Sequence, residues 1–328
     1  MQAELAAHHE KAAQGYQSLR LDSENSKDDV DSIVLTFDLQ QNLPVPTLTH
    51  GAMFYMRQLW VYNFGIHDCS GGSAVMCVWN ECIAGRGSNE IISCLLEYFA
   101  RERPQAKKLT CYSDSCFGQN KNTQMICFWS KLINKGQFTR IDHKFLVRGH
   151  TYLPNDRDFA HIEKRKDSAM VYLPEDWERI IQEACTTRPF HVQKMTKEKF
   201  FDFEPITKEF TMRKKDTDRA PVLISTANWM NFGEGEDGGK IVSHPGEFWM
   251  RSSFSVHEPW QKVCILKGRR KKSPPKDLSV PLSYPDGHPV NPKKIADLQK
   301  MIPYLPPPCR DFYSSLADHP VSSNSDHD

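Results

Sequence analysis

A chain of 328 residues with 39% hydrophobic and 25% charged side chains can hold one large core, or a core with an accessory module. Its 42 Lys and Arg balance 41 Asp and Glu, a net charge of +1, so any nucleic-acid or anionic-membrane partner must be held by a local patch and not by overall charge. No apolar run approaches bilayer-spanning length, which excludes a helical membrane protein.

Residues 1–30 open with a polar, helix-forming stretch, MQAELAAHHEKAAQGYQSLR, and continue into the charged linker SENSKDDVD. The stretch lacks the apolar centre of a signal peptide. A lone helix of this kind is marginal without a partner, so it reads as the remnant of an upstream region, and the chain as a fragment or descendant of a larger protein.

From residue 31 a buried sheet is expected. Residues 31–38 form a β-branched strand that ends at Asp38 and runs into the amides Gln40, Gln41 and Asn42. Residues 52–64 and 73–80 read as two more strands, separated by a turn at Ser70-Gly71-Gly72. A helix follows, capped at Ser88 or Asn89, with Ile91, Ile92, Leu95, Leu96 and Phe99 at helical spacing and Glu90 in its first turn. A fourth strand, 108–113, stops at Asp114 and again meets amides, Gln119, Asn120 and Asn122. Then come a helix over 122–134, a strand over 143–147, the loop GHTYLPND and a helix from about Asp156 through Glu163.

Three strands joined by short turns predict an antiparallel meander, and two strand–helix–strand units predict parallel additions. The result is an α/β domain over 31–190, with a mixed five-stranded sheet flanked by helices. Its first and fourth strands would lie side by side, bringing Asp38 and Asp114 to one end. Segments 221–231, 241–251 and 260–266 read as a small, barrel-like β-module within an accessory region spanning 191–316, which also holds a basic loop and a final helix. Residues 317–328 read as a disordered tail.

An acid at the carboxyl end of a buried strand is costly unless it is paired, hydrogen-bonded or holding a cation. Two such acids followed by neutral amides therefore suggest a site that collects positive charge. A pair of Mg²⁺ or Mn²⁺ ions needs three or four oxygen donors from separate elements. Asp38 and Asp114 supply two. The third is Asp156 or Glu163, with Asp158 on another face of the same helix. The competing reading of each Asp is a turn former or helix cap.

Lys121 and Arg148 are placed to touch a nucleic-acid backbone, or to be ordinary surface cations. His150 would position a phosphate or a metal-bound water, or bond to backbone in its loop. Arg269, Arg270, Lys271 and Lys272 form a basic run suited to nuclear import or nucleic-acid contact. The ten cysteines show neither a C-x-x-C pair nor zinc-finger spacing, so free thiols in a reducing compartment are expected and a zinc site is not.

With these strands and acids in order, TFDLQQNLPVP, FYMRQLWVYNFGIHD, GRGSNEIISCLL, YSDSCFGQNKN and GHTYLPNDRDFAHIEK resemble the ribonuclease-H-like DDE-type transposase domain of transposon-derived reading frames, a group catalogued largely as domains of unknown function. The closing FYSSL is also similar to the end of such proteins. The resemblance implies a metal-dependent polynucleotidyl transferase or endonuclease acting on DNA in the nucleus, as an oligomer. It implies Asp38, Asp114 and Asp156 as metal ligands, Glu163 as competitor for the third place, and Glu90 as the helix-borne acid. The upstream DNA-binding and zinc regions of a full transposase are missing from the resemblance, so the alternative is a domesticated, inactive nucleic-acid- or protein-binding module.

Overall fold

The computed structural model describes residues 2–51, 55–102, 105–147, 149, 152–166, 169–209, 215–216, 220–233, 246–255, 257–265 and 280–323. Three of the strands form the expected meander: β1 (Ser32–Leu39), β3 (Leu59–Asp68) and β4 (Ser73–Asn80), with a short β2 (Leu43–Val45) paired to β3. The parallel additions β5 (Lys108–Ser113) and β6 (Arg140–Phe145) follow, each preceded by a helix, α2 (Ser88–Arg101) and α3 (Thr123–Asn134). The second strand begins later than expected, at Leu59, and the fifth earlier, at Arg140.

The expectation of five strands and a separate β-module is corrected. Among the described residues the sheet has ten strands, in the order β10-β9-β8-β6-β5-β1-β3-β4-β7 with β2 beside β3. Strands β8 (Trp229–Gly233), β9 (Glu247–Arg251) and β10 (Gln261–Cys264) extend the sheet beyond β6, and β7 (His191–Lys194) joins the opposite edge along β4. The reason lies in pairing: both edges of the first five strands offer open backbone groups, and the later segments satisfy them. One apolar cluster accordingly joins Ile33, Leu35, Phe37, Ile91, Leu95 and Trp129 to Phe200, Phe203, Phe232, Phe248 and Val263.

Helices cover both faces, with the short α6 (Glu204–Glu209) packed beside α3 through Ile206. Alternation along β1 sends Ile33, Leu35 and Phe37 toward α2 and α3, and Val34 and Asp38 to the other face. On that other face lie α1 (Gln2–Asn25), α4 (Pro154–Lys166) and α5 (Pro174–Gln182). The N-terminal helix finds its partner within the chain. Leu19 is buried with Val34, Tyr112, Leu146 and Leu153, and Asp22 accepts hydrogen bonds from Tyr112 Oη (2.6 Å) and the buried Lys144 Nζ (2.6 Å). Near the C-terminus α7 (Pro292–Met301) and α8 (Arg310–Ser315) close the α5 side through Leu298, Met301 and Tyr313. Within the expected tail, Val321 bridges Val290, whose carbonyl accepts from Ser322 N (3.0 Å), and 324–328 lie outside the described residues.

Candidate acidic site at the sheet end

β1 and β5 run parallel with Thr36 opposite Tyr112, so two residues further on Asp38 and Asp114 reach the same end of the sheet. They line a cleft of about 540 Å³ with Gln40, Gln41, Asn42, Trp60, Arg86 and Gln119. Each acid keeps a local bond. Asp38 Oδ1 accepts from Leu39 N (2.8 Å), and Asp114 Oδ1 accepts from Cys116 N (3.1 Å) and Asn120 Nδ2 (2.6 Å). The turn-forming reading of Asp114 is therefore realised, and it leaves the acid at the cleft wall.

Asp38 is the electrostatic centre. Burial pushes its carboxyl up to about 7, and the negative charges of Asp114 and Asp156 push in the same direction. Asp156 thus belongs to the same field, although it also caps α4 by accepting from Leu153 N (2.7 Å). Glu163 lies two turns along and is held by Gln40 Nε2 (2.8 Å) and Lys166 Nζ (2.9 Å). Gln40 Oε1 in turn accepts from the buried Asn63 Nδ2 (2.8 Å). Glu163 is joined to the site through an amide and is not among the charges that move Asp38.

Glu90 does not join the group. Its Oε2 accepts from Gly87 N (2.7 Å) at the start of α2, and the titrating groups it influences are Tyr62, Cys94, Tyr284 and His288. Its expected place beside Asp38 is corrected, because α2 packs on the Phe37 face. Asp158 also faces elsewhere, bonded to His67 Nδ1 at 2.6 Å.

Lys121 is not a surface cation. It is 3% exposed, donates to the Ser225 carbonyl (2.9 Å) and lies 5.0 Å from the Phe145 ring centre. These contacts tie the loop after Asp114 to β6 and to the segment before β8. Arg148, His150, Arg269, Arg270, Lys271 and Lys272 lie outside the described residues. Arg86 supplies the cation that the sequence reading overlooked: it is exposed, lines the cleft and donates to Asn42 Oδ1 at 3.0 Å.

Two supports of the site carry little sequence signal. Gly65 stands directly opposite Asp38. A Cβ there would meet the Phe159 ring at 2.9 Å and Asn155 Nδ2 at 3.2 Å, and Asn155 donates to the Gly65 carbonyl at 2.9 Å. The missing side chain lets α4 rest on β3, which brings Asp156 toward Asp38. Beneath Asp114, the indole N–H of Trp129 donates to His143 Nδ1 (3.1 Å). Nε2 therefore carries the hydrogen and donates to Ser113 Oγ (3.0 Å), whose hydroxyl donates to the Asp114 carbonyl (2.9 Å). Burial drives the His143 imidazole down to about 3, and the Lys121 charge adds to that.

Among the described residues no three His, Cys, Asp or Glu side chains gather into a ready metal-ligand set, all ten cysteines are free, and no helix is long and apolar enough to cross a membrane. No curated protein matches the chain. Residues 65–221, which include Glu90, Asp114, Asp156 and Glu163 but not Asp38, are similar to a family described as a domain of unknown function, DUF7869.

Proposed function

We propose that the cleft is a divalent-cation-dependent phosphoryl-transfer site of the ribonuclease-H-like DDE type, acting on DNA phosphodiesters. The observation that carries this reading is the field that Asp114, at the carboxyl end of the adjacent parallel strand, and Asp156, in the first turn of α4, exert on Asp38. Two acids that raise the cost of ionising a third favour a bound cation beside it. The order β4-β3-β1-β5-β6 within the larger sheet supports it, being the strand order of that fold class. Mg²⁺ or Mn²⁺ would supply Lewis-acid activation of a phosphoryl oxygen and of the attacking water or hydroxyl.

The chain's own residues do the rest. Asp38 gives up its proton and becomes a charged donor, while Asp114 is kept in place by Cys116 and Asn120. Arg86 and the amides of Gln41 and Gln119 face the cleft and would bind phosphate oxygens, with Trp60 as an apolar wall. In this reading DNA is the partner, the nucleus the compartment and an oligomer the acting form.

A second reading is a binding module that has kept the fold and lost the chemistry. It is favoured by the capping duty of Asp156 and by the lack of a ready three-residue ligand set among the described residues. Nicking of a supercoiled plasmid with Mg²⁺ or Mn²⁺ separates the two. The first reading expects metal-dependent nicking that drops at least 100-fold in Asp38→Asn and Asp114→Asn. Nicking that is absent in wild type, or unchanged in both variants, leaves the binding module.

A further inference from the structure

A second polar site lies around Gly85, in a pocket of about 720 Å³ lined by Tyr62, Glu81, Gly85, Arg86, His288 and Lys294. The space that a Gly85 side chain would fill is faced by His288 Nε2 (3.4 Å from the ideal Cβ position), Tyr284 Oη (3.4 Å) and Glu90 Oε1 (3.6 Å). Glu90 is 2% exposed, and its Oε1 is a buried oxygen that the Tyr284 hydroxyl approaches without a hydrogen bond of normal geometry. A buried carboxylate oxygen left without a full hydrogen bond is costly, so something is expected to occupy this spot.

The donors have the form of metal ligands. His288 Nδ1 lies 3.0 Å from the Glu81 carbonyl, which can only accept, so Nδ1 carries the hydrogen and Nε2 presents its lone pair. A backbone carbonyl behind the imidazole is the usual outer support of a metal-bound histidine. The other oxygen of Glu90 is likewise held, by Gly87 N at 2.7 Å. The buried cation that lines this pocket, Lys294, is committed to Glu81 at 2.9 and 3.0 Å.

We propose that Glu90 Oε1, His288 Nε2 and Tyr284 Oη bind a divalent cation of the Zn²⁺ class, with water from the pocket as a further ligand. Mixed nitrogen and oxygen donors, one of them charged, suit Zn²⁺ better than Mg²⁺, which takes oxygen. The site is independent of Asp38 and Asp114. It joins α2 to the segment before α7, so it would also tie the C-terminal part of the chain to the helix after the meander.

The test is titration of the whole protein with Zn²⁺ and, separately, Co²⁺. Expected is one high-affinity equivalent whose Co²⁺ spectrum shows d–d bands without thiolate charge transfer. Gly85→Ala places a methyl in the space at ordinary contact distance, so the protein should fold and lose this equivalent. Tyr284→Phe and His288→Gln should weaken it by more than the roughly 10- to 100-fold of an outer-support loss, while Asp38→Asn leaves it unchanged. A strong thiolate band, or an equivalent that survives Gly85→Ala and His288→Gln, would overturn the assignment.

Discussion

The half-buried Asp38 carboxyl and the buried His143 imidazole make opposite demands on pH. The Asp38 carboxyl, held up to about 7 when folded, contributes stability below its unfolded value near 3.8 and loses it as pH rises through 7. Removing the charge should therefore stabilise the metal-free protein: Asp38→Asn, unfolded in urea at pH 8 with a chelator, should gain stability, by about 4 kcal/mol at most. An unchanged or lowered midpoint would mean that Asp38 is not under strain. His143 works the other way. Its imidazole falls from 6.5 to about 3 on folding, so its contribution is full above pH 6.5 and is lost as pH falls toward 3. Urea midpoints of wild type should drop between pH 6.5 and 5, and His143→Asn should flatten that drop while lowering stability at pH 7. Of these residues only Asp38 and Asp114 announce themselves in sequence, because an acid and a run of amides at a strand end are visible without knowing what lies across the sheet. His143 and Ser113 read as ordinary strand residues, since their partners come from α3 and from the next strand.

The acidic site depends on how α4 meets β3. Gly65 is the position that allows it, and within NFGIHD it reads as a mild flaw in a strand. Gly65→Ala should push against Phe159 and Asn155, costing about 1–3 kcal/mol through overpacking. It should also shift α4 and weaken any Mn²⁺-induced rise in melting temperature, although it removes no ligand. A variant with full stability and an unchanged metal response would show that α4 does not position the site. The helices themselves were legible. Ile91, Ile92, Leu95 and Phe99 mark the buried face of α2, and Asn122 caps α3 by accepting from Met125 N at 3.0 Å. The face of the sheet on which each helix packs was not legible, and that choice separates Glu90 from Asp38.

Across the whole molecule the later strands share one core with the first five, so the protein should unfold as one cooperative unit. Fluorescence of the tryptophans and far-ultraviolet dichroism should report coincident urea transitions; a separate early transition would restore an independent accessory module. The strand types, the meander with its parallel additions, and the paired acids at strand ends follow from local pattern alone. Periodicity and strand-end chemistry are properties of neighbours in the chain. Tertiary structure decided that β7 and β8–β10 complete the same sheet and that Lys121 is buried. It also gathered Glu90, Tyr284 and His288 around Gly85, far apart in the chain. Those outcomes depend on which open edge or unsatisfied group a distant segment meets, and no window of the sequence contains both partners.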